Sequence, residues 1–426
     1  MGDEDVEVSH QSGCSRMLNS IICALCVSPV VTLGMVVMLG WNERRSVCGM
    51  RALFEGRDKA QEVGCDSASA GNGKLVIFNC DLKTEGLTPF TFPGSDFSFS
   101  NYIGPGISVN AEMLQCVENS RTETKKDSVG GGTTSVTLYS YTVEWKSSRV
   151  DSSNFKGKGN MGSPFWNVCG GDNPPWHSGM PDSRSQSVAS MKAGAFTIEN
   201  GMPGALPLTK PLQASNSPAG WSYDAGSIQY TRPPSGGTQK NGIGSARVKF
   251  MGFDWSLPKV TVVGENRGGT IQSWTASDSW LCTGFTVMKL KQGSVDKDAF
   301  FDAMESENSA VTYVLRVVGF IVIWCAFKSI AGPLAVAADC IPCIGPCLGD
   351  SIEAIACCVT CPPACACALG VIGMVWVAMR PVVGIPLMLF FCCTMGGYTV
   401  YLMKKKMGGS GGGDGKGGET IGNEDA

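Results

Sequence analysis

The sequence has very little histidine. Two histidines in 426 residues leave little room for a histidine-based metal centre or for a set of proton-transferring sites. Charge is also scarce, since Asp, Glu, Lys and Arg make up 17% of the chain and the formal net charge is −3. Nucleic-acid-binding proteins carry a basic domain or stripe. This charge balance therefore argues against a nucleic-acid partner.

Several short motifs are missing as well. The zinc-peptidase motif H-E-x-x-H does not occur, nor does a phosphate-binding loop that ends in Lys and Ser or Thr. The glycan acceptor N-x-S/T is also absent, so glycosylation gives no information on which residues face a lumen. We therefore predict that the chain is not an enzyme and binds neither a cofactor nor a metal.

Apolar residues, by contrast, are abundant and concentrated. Residues 18–41 contain no charged side chain and are numerous enough to cross the ~30 Å hydrocarbon core of a bilayer. An N-terminal apolar run is also typical of a signal peptide, but here acidic residues precede it and no small-residue cleavage site follows it. We predict a retained first span at 18–41 and a cytosolic tail at 1–17.

A second apolar block follows a long polar region and holds few charged side chains. Arg316 and Lys328 lie near the ends of its first run, where long side chains can reach the membrane interface. The segment 332–351, with Asp339 and three prolines, predicts a Cys/Pro-rich cytosolic or interfacial loop. Three further spans are predicted, at 309–331, 352–379 and 382–403.

The orientation in the membrane follows from the C-terminal end. Lys404, Lys405 and Lys406 come directly after the last apolar run, and such clusters favour the cytosolic side. Residues 404–426 then form a disordered, Gly-rich cytosolic tail. With four spans, residues 42–308 lie across the membrane, in a lumen.

Residues 42–308 have the pattern of a β-rich domain. Thr133–Trp145 alternates polar and apolar residues and is rich in β-branched and aromatic side chains, which is typical of a strand. The glycines at 130–132 predict a hairpin before it, and residues 44–62 predict a membrane-proximal helix. Other strands are predicted at 74–80, 106–117, 246–253, 260–263 and 281–290. The predicted fold class is a four-span α-helical membrane protein with a large β-rich α+β lumenal domain.

Twenty cysteines fall into separate groups along the chain. Six lie in the predicted lumenal domain, where an oxidising environment favours disulfides, and they allow 15 pairings. Alternatively they are small buried hydrophobic residues. These six are Cys48, Cys65, Cys80, Cys116, Cys169 and Cys282.

Eleven cysteines follow residue 309, and two triads among them share one spacing. Cysteines beside the cytosolic face of a membrane are typical sites of reversible S-acylation. Inert packing and a thiolate metal site are the alternatives. The acylation candidates are Cys340, Cys343, Cys347 and Cys357.

Short strings spread over most of the chain carry a further signal. They are Asn42 and Glu43 after the first span, Tyr139, Tyr141, Glu144 and Trp145 in one strand, Asn154 and Phe155 after that strand, and Arg380 and Pro381 between the last two spans. Together these strings resemble the LUMA family of membrane proteins. The resemblance implies one N-terminal span, a large lumenal domain and three C-terminal spans, in the endoplasmic reticulum and inner nuclear membrane.

Two functions of different classes follow from these observations. The resemblance implies a non-enzymatic endomembrane scaffold whose partners are the lipid bilayer and other membrane or nuclear-envelope proteins. Small residues in the last span, Gly396 and Gly397, favour a homo-oligomer. The alternative is a membrane-embedded transporter or lipid-acting enzyme, because Asp350 and Glu353 lie near membrane depth and prolines interrupt the C-terminal spans.

Overall fold

A computed structural model shows a bundle of long helices joined to a β-rich domain. For residues 203, 345–350 and 353 it describes the backbone only. The residues it describes are 4–92, 94–127, 131–199, 201–216, 218–234, 240–279, 281–339, 345–386, 388–389 and 392–393.

The helices account for the apolar parts of the chain. A π-helical turn at Cys23–Val27 joins the first two helices, so that Gly13–Lys59 is continuous. Ser12 caps the start of this helix by accepting a hydrogen bond from the Ser15 N–H. The helices are α1 (Gly13–Ile22), α2 (Ser28–Lys59), α3 (Pro164–Val168), α4 (Lys297–Ile330), α5 (Gly332–Asp339) and α6 (Gly345–Met379).

Three helices of the described chain are long and apolar enough to cross a membrane: Gly13–Lys59, Lys297–Ile330 and Ala354–Met379. They contain the first three predicted spans. The fourth, 382–403, lies mostly outside the described residues, so a total of four spans stays a prediction. The membrane-proximal helix expected at 44–62 is the end of α2, which stops at Lys59.

The long helices α2, α4 and α6 pack through small and branched side chains. Leu39, Ile323, Ala364 and Ala368 form the centre of their contact. Gly319 allows α4 to approach α2 closely, because a Cβ atom there would lie 2.6 Å from Leu39 Cδ2. Small residues permit this kind of close helix packing in membranes, where the hydrophobic effect does not hold helices together.

The loop predicted at 332–351 is wrong for most of its described residues. Gly332–Asp339 is helix α5, and α6 already begins at Gly345. Pro346 lies in the first turn of α6, where a missing backbone N–H disrupts no helical hydrogen bond. The third membrane-spanning helix therefore starts before residue 352.

The β-rich domain contains two main sheets. In chain order the strands are β1 (Asp5–Gln11), β2 (Gln61–Glu62), β3 (Leu75–Lys83), β4 (Gly106–Lys126), β5 (Thr133–Lys146), β6 (Arg184–Ser187), β7 (Met191–Ala193), β8 (Phe196–Ile198), β9 (Lys210–Leu212), β10 (Ser222–Asp224), β11 (Gln229–Arg232), β12 (Ala246–Gly252), β13 (Lys259–Arg267), β14 (Thr270–Gln272), β15 (Trp274–Thr275), β16 (Thr286–Val287) and β17 (Lys289–Gln292).

One sheet has the strand order β1-β5-β4-β12-β11-β10, with β6 beside β4 and β9 beside β12. The other has the order β17-β13-β14-β8-β7-β3-β2, and β13 also pairs with β3. A short pair, β15–β16, lies apart from both. The predicted hairpin is β4–β5, but β4 extends to Lys126, well past the expected end at residue 117. The strand expected at 281–290 is divided into β16 and β17.

The second sheet is covered on both faces, which explains why the first four residues of β3 are all buried. Val76 and Phe78 face the domain core, which includes Phe196. Leu75 and Ile77 face the ends of the long helices, including Phe300 and Phe301 of α4. The helices and this sheet therefore share one hydrophobic core.

Residues 5–11, assigned above to a separate cytosolic tail, form the edge strand β1. They pair antiparallel with β5 over seven residues, from Asp5 opposite Tyr139 to Gln11 opposite Thr133. Val6 and Val8 are exposed, so backbone hydrogen bonds rather than apolar burial hold the strand. Val6 and Val8 alternate with polar residues, but so short an alternation does not identify β5 as the partner strand. The side of the membrane on which residues 1–17 lie stays a prediction.

Cysteine cross-linking tests this pairing. Ser9 lies directly opposite Ser135, so the S9C/S135C variant should form a disulfide in intact membranes under mild oxidation. The disulfide is detected as a mobility shift on a non-reducing gel. In the matched control S9C/Y139C the two positions are four residues out of register and should not cross-link. An unlinked S9C/S135C protein would show that β1 and β5 do not pair in the membrane.

Candidate functional site

A buried ion pair joins the long helices where they leave the apolar part of the bundle. Glu43 of α2 is fully buried, and its two carboxylate oxygens accept hydrogen bonds from Arg316 Nε and Nη2 of α4, both at 2.6 Å. Trp376 of α6 donates its indole N–H to Glu43 Oε2 at 2.8 Å. One carboxylate thus binds two other helices at once.

The Arg316 side chain does not extend to the interface as its position near a span end suggested. It is bound bidentately by Glu43, and its guanidinium lies 5.1 Å from the centre of the Tyr313 ring and 5.8 Å from that of Trp376. Contacts of a guanidinium with aromatic faces are favourable when water is excluded. The Glu43 carboxylate is therefore compensated by Arg316 and the Trp376 indole, and the Arg316 guanidinium by Glu43 and the two aromatic rings.

A second polar layer lies beside this pair. Arg45 donates to Asn308 Oδ1 at 2.9 Å and to Thr312 Oγ1 at 3.1 Å, which again connects α2 to α4. Asn42, fully buried, donates from Nδ2 to the Thr312 carbonyl at 3.2 Å. Asn42 and Glu43, two of the residues that carry the family resemblance, are thus central to the contact between the helices.

Another buried carboxylate lies at the opposite end of the bundle. Asp339 of α5, expected above in a solvated loop, is fully buried and accepts hydrogen bonds from Arg16 Nη2 and Lys126 Nζ, both at 3.1 Å. Arg16 also donates to the Gly131 carbonyl at 2.6 Å. The carboxylate therefore binds helix α1 and the far end of the β4–β5 hairpin to α5.

The tyrosines of the strand motif contact the N-terminal strand. Tyr141 is buried, its hydroxyl lies 3.0 Å from Asp5 Oδ2 and 3.1 Å from Glu118 Oε2, and it accepts from the Gly157 N–H. Burial, with these carboxylates, raises the Tyr141 pKa. Tyr139 donates to Glu7 Oε2 at 2.6 Å, and this hydrogen bond lowers the pKa of Glu7.

The other motif residues have different surroundings. Trp145 lies under the Arg247 guanidinium, 4.3 Å from its ring centre, and Arg247 pairs with Glu112 on the neighbouring strand. Glu144 pairs with an adjacent lysine and accepts a hydrogen bond from a threonine of the same strand. Phe155 packs against the Tyr141 ring, whereas Asn154 is exposed. Arg380 and Pro381 follow α6 and are also exposed.

The six cysteines of the β-rich domain form three disulfides. Cys65–Cys80 and Cys116–Cys169 lie within the domain, with Cα atoms 5.6 and 5.5 Å apart. Cys48–Cys282, at 5.3 Å, joins helix α2 to the segment before β16. These Cα separations are those of ordinary disulfides. The tertiary structure selects this pairing from the 15 that the sequence allows.

The acylation candidates are described only in part. Cys340 and Cys343 lie outside the described residues, and for Cys347 only the backbone in α6 is described. Cys357 is a free, partly buried thiol of α6, and its carbonyl accepts the Trp324 indole N–H at 3.0 Å. Acylation of these four residues stays a prediction.

Three of the four residues that bind the two buried carboxylates were not singled out from the sequence. Arg16 and Lys126 lie in polar segments without a motif, and only the fold brings them to Asp339. Trp376 gave a weak signal, because an indole N–H in an apolar span requires an acceptor. That signal does not identify Glu43 as the partner.

Helices long enough to span a membrane, packed against a disulfide-bonded β-rich domain, define a membrane protein with a large extramembrane domain. A family model described as Transmembrane protein 43 matches residues 113–381, more than half of the chain, and the chain belongs to this family. LUMA is another name for this family, so the family match confirms the resemblance found in the sequence. Comparison with curated proteins gave no match, and comparison with solved structures gave none either.

Breaking the buried ion pair should destabilise the bundle. Glu43→Gln leaves the Arg316 charge without a counterion, and removal of one partner of a buried pair costs about 3–5 kcal/mol. We expect a clearly lower unfolding temperature for the detergent-solubilised protein. The double variant E43M/R316M should recover most of the loss, because no uncompensated charge remains.

The control for this measurement is the exposed ion pair between Lys289 and Glu307, whose side chains are 42% and 60% exposed. Lys289→Met should change stability by no more than about 1 kcal/mol, as is typical of surface pairs. Equal effects of E43Q and K289M would contradict the central role of Glu43.

The disulfides should differ in their contribution to stability. Cys48–Cys282 closes a much longer loop than Cys65–Cys80, with sequence separations of 234 and 15. The unfolded-chain entropy removed is then about 5 kcal/mol against about 3 kcal/mol. In non-reducing thermal scans, C48S/C282S should therefore unfold at a lower temperature than C65S/C80S. Replacement of the free thiol in Cys26→Ser is the control, and equal losses for the two disulfide variants would refute the ranking.

Proposed function

We propose that the chain is a non-enzymatic scaffold that organises membrane-protein complexes in the endoplasmic reticulum and inner nuclear membrane. The observation that supports this most is the use of the ionisable groups in the bundle. Glu43 is bound by Arg316 and Trp376, and Asp339 by Arg16 and Lys126. These charges connect structural elements to one another.

This use of charge favours a scaffold over a transporter or a lipid-acting enzyme. Such proteins need ionisable groups that face a substrate path or a water-filled cavity within the membrane. A carboxylate with both oxygens bound by a guanidinium and an indole has little capacity left for an ion or a substrate. Asp350 and Glu353, the other candidates for such chemistry, have side chains outside the described part of the structure.

The three disulfides support a lumenal position for the β-rich domain. Disulfides persist in oxidising compartments, such as the lumen of the endoplasmic reticulum, and are rare in the cytosol.

Along the first span, exposed apolar side chains include Leu25, Val30, Leu33 and Val37. We infer that this surface contacts lipid and the membrane segments of partner proteins, while the β-rich domain binds their lumenal parts.

Localisation combined with proximity labelling tests the proposal. The full-length chain is made with a peroxidase inserted in the β-rich domain. When the proteins that it labels are stained with a fluorescent probe, the staining should follow the reticular network and the nuclear rim. The labelled set should be enriched in membrane proteins of that compartment, relative to a peroxidase anchored there by an unrelated single span. Labelling confined to the plasma membrane or mitochondria would refute the proposed location.

Reconstituted vesicles separate the scaffold from its alternative. The scaffold proposal expects no ion flux or lipid turnover above that of empty vesicles. A flux or turnover that R316M abolishes, while the surface control K289M retains it, would establish the transporter or enzyme instead. The unfolding temperature of each variant shows whether a loss of activity reflects a loss of fold.

A further inference from the structure

A cleft of about 640 Å³ lies beside the bundle where α2 and α6 leave its apolar part. One wall is a stripe of α2 at helical spacing, Val47, Arg51, Phe54 and Asp58, and the other is the end of α6 at Met379 with the adjacent Arg380. It contains both cationic and apolar side chains and opens outward. None of its residues belongs to the buried ion pair described above.

The cleft adjoins the end of α6, where the apolar part of that helix stops. Met379 ends a helix that is apolar enough to span the membrane, so Arg380 is at the boundary of the hydrocarbon. On α2, Arg51 follows Trp41, the last residue of the apolar run, by ten residues, or about 15 Å at 1.5 Å per residue. Its long side chain can extend back toward the membrane.

The charges in the cleft are available. Within the described part of the chain, neither the Arg51 nor the Arg380 guanidinium makes a hydrogen bond or ion pair, and the same holds for the Asp58 carboxylate. Glu55, also in the wall, differs because it accepts from Lys59 Nζ at 2.7 Å and from the Ser277 backbone N–H. Two cations and one anion are therefore free for a ligand.

The order of these groups along α2 matches that of a zwitterionic phospholipid. Moving away from the membrane, an apolar side chain (Val47) is followed by a cation (Arg51), an exposed aromatic ring (Phe54) and an anion (Asp58). An amine-bearing phospholipid presents its acyl chains, its phosphate and its ammonium in the same order. Arg51 and Asp58 are separated by seven residues, about 10 Å along the helix, so one headgroup can reach both side chains.

We propose that this cleft binds the headgroup of a phospholipid that carries an amine. Arg51 and Arg380 bind the phosphate from two sides, in the charge-assisted geometry that guanidinium groups favour. Asp58 binds the ammonium, with the face of Phe54 beside it. Val47 and Met379 contact the upper part of the acyl chains. This site does not depend on the proposed scaffold role.

A lipid titration of the delipidated full-length chain in detergent, followed by native mass spectrometry, tests the site. Phosphatidylethanolamine should bind at least about tenfold more weakly to R51Q/R380Q than to the wild type. A tenfold change in Kd corresponds to about 1.4 kcal/mol of binding free energy. Arg149→Gln removes another exposed arginine, far along the chain in the β-rich domain, and should leave binding unchanged. Wild-type affinity in R51Q/R380Q would overturn the proposal.

Two further probes identify the chemistry of the ligand. D58N should weaken phosphatidylethanolamine binding but not that of phosphatidylglycerol, which has no amine; an equal effect on both would overturn the amine contact. Inorganic phosphate should compete far less well than the lipid, and equal competition would mean a phosphate site rather than a lipid site. Unchanged unfolding temperatures for R51Q and R380Q singly, each compared with R149Q, show that a loss of binding is not a loss of fold.

Discussion

The buried pair between Glu43 and Arg316 constrains the rest of the structure. A charge in the interior of a membrane-embedded bundle is costly unless it is paired, so α2 and α4 must adopt the rotation and axial register that bring these side chains together. The Trp376 indole imposes the same condition on α6. Because α2 and α4 continue unbroken into the core beneath the seven-stranded sheet, this arrangement also orients the sheet relative to the membrane.

The β4–β5 hairpin is subject to a different constraint. Its far end contacts Asp339 and strand β1, whereas its other end lies in the β-rich domain, so it extends along the bundle. The exposed face of the hairpin carries threonines, as in the pair Thr122 and Thr137, and such polar groups cannot face hydrocarbon. A span at 18–41 with the N-terminus across the membrane is therefore incompatible with the β1–β5 pairing.

The end of α6 has two roles in this description. Trp376 completes the buried pair, and four residues later Arg380 lines the cleft beside α2. The two residues have different surroundings, since Trp376 is enclosed between helices and Arg380 lines a cleft that opens outward. A rotation of α6 would disturb both the buried pair and the cleft.

The sequence by itself determined the features that depend on local sequence. These are three of the spans, the β-rich character of residues 42–308, the β4–β5 hairpin, and the family. These depend on local properties, namely uninterrupted apolar length, period-two alternation and short motifs. Glu43 and Arg316 were each visible as residues of interest, but their pairing, 273 positions apart, was not. The disulfide connectivity, the burial of Asp339 and the edge strand β1 were likewise decided only by tertiary structure. Each depends on which distant groups meet in space, and no local pattern in the sequence encodes that.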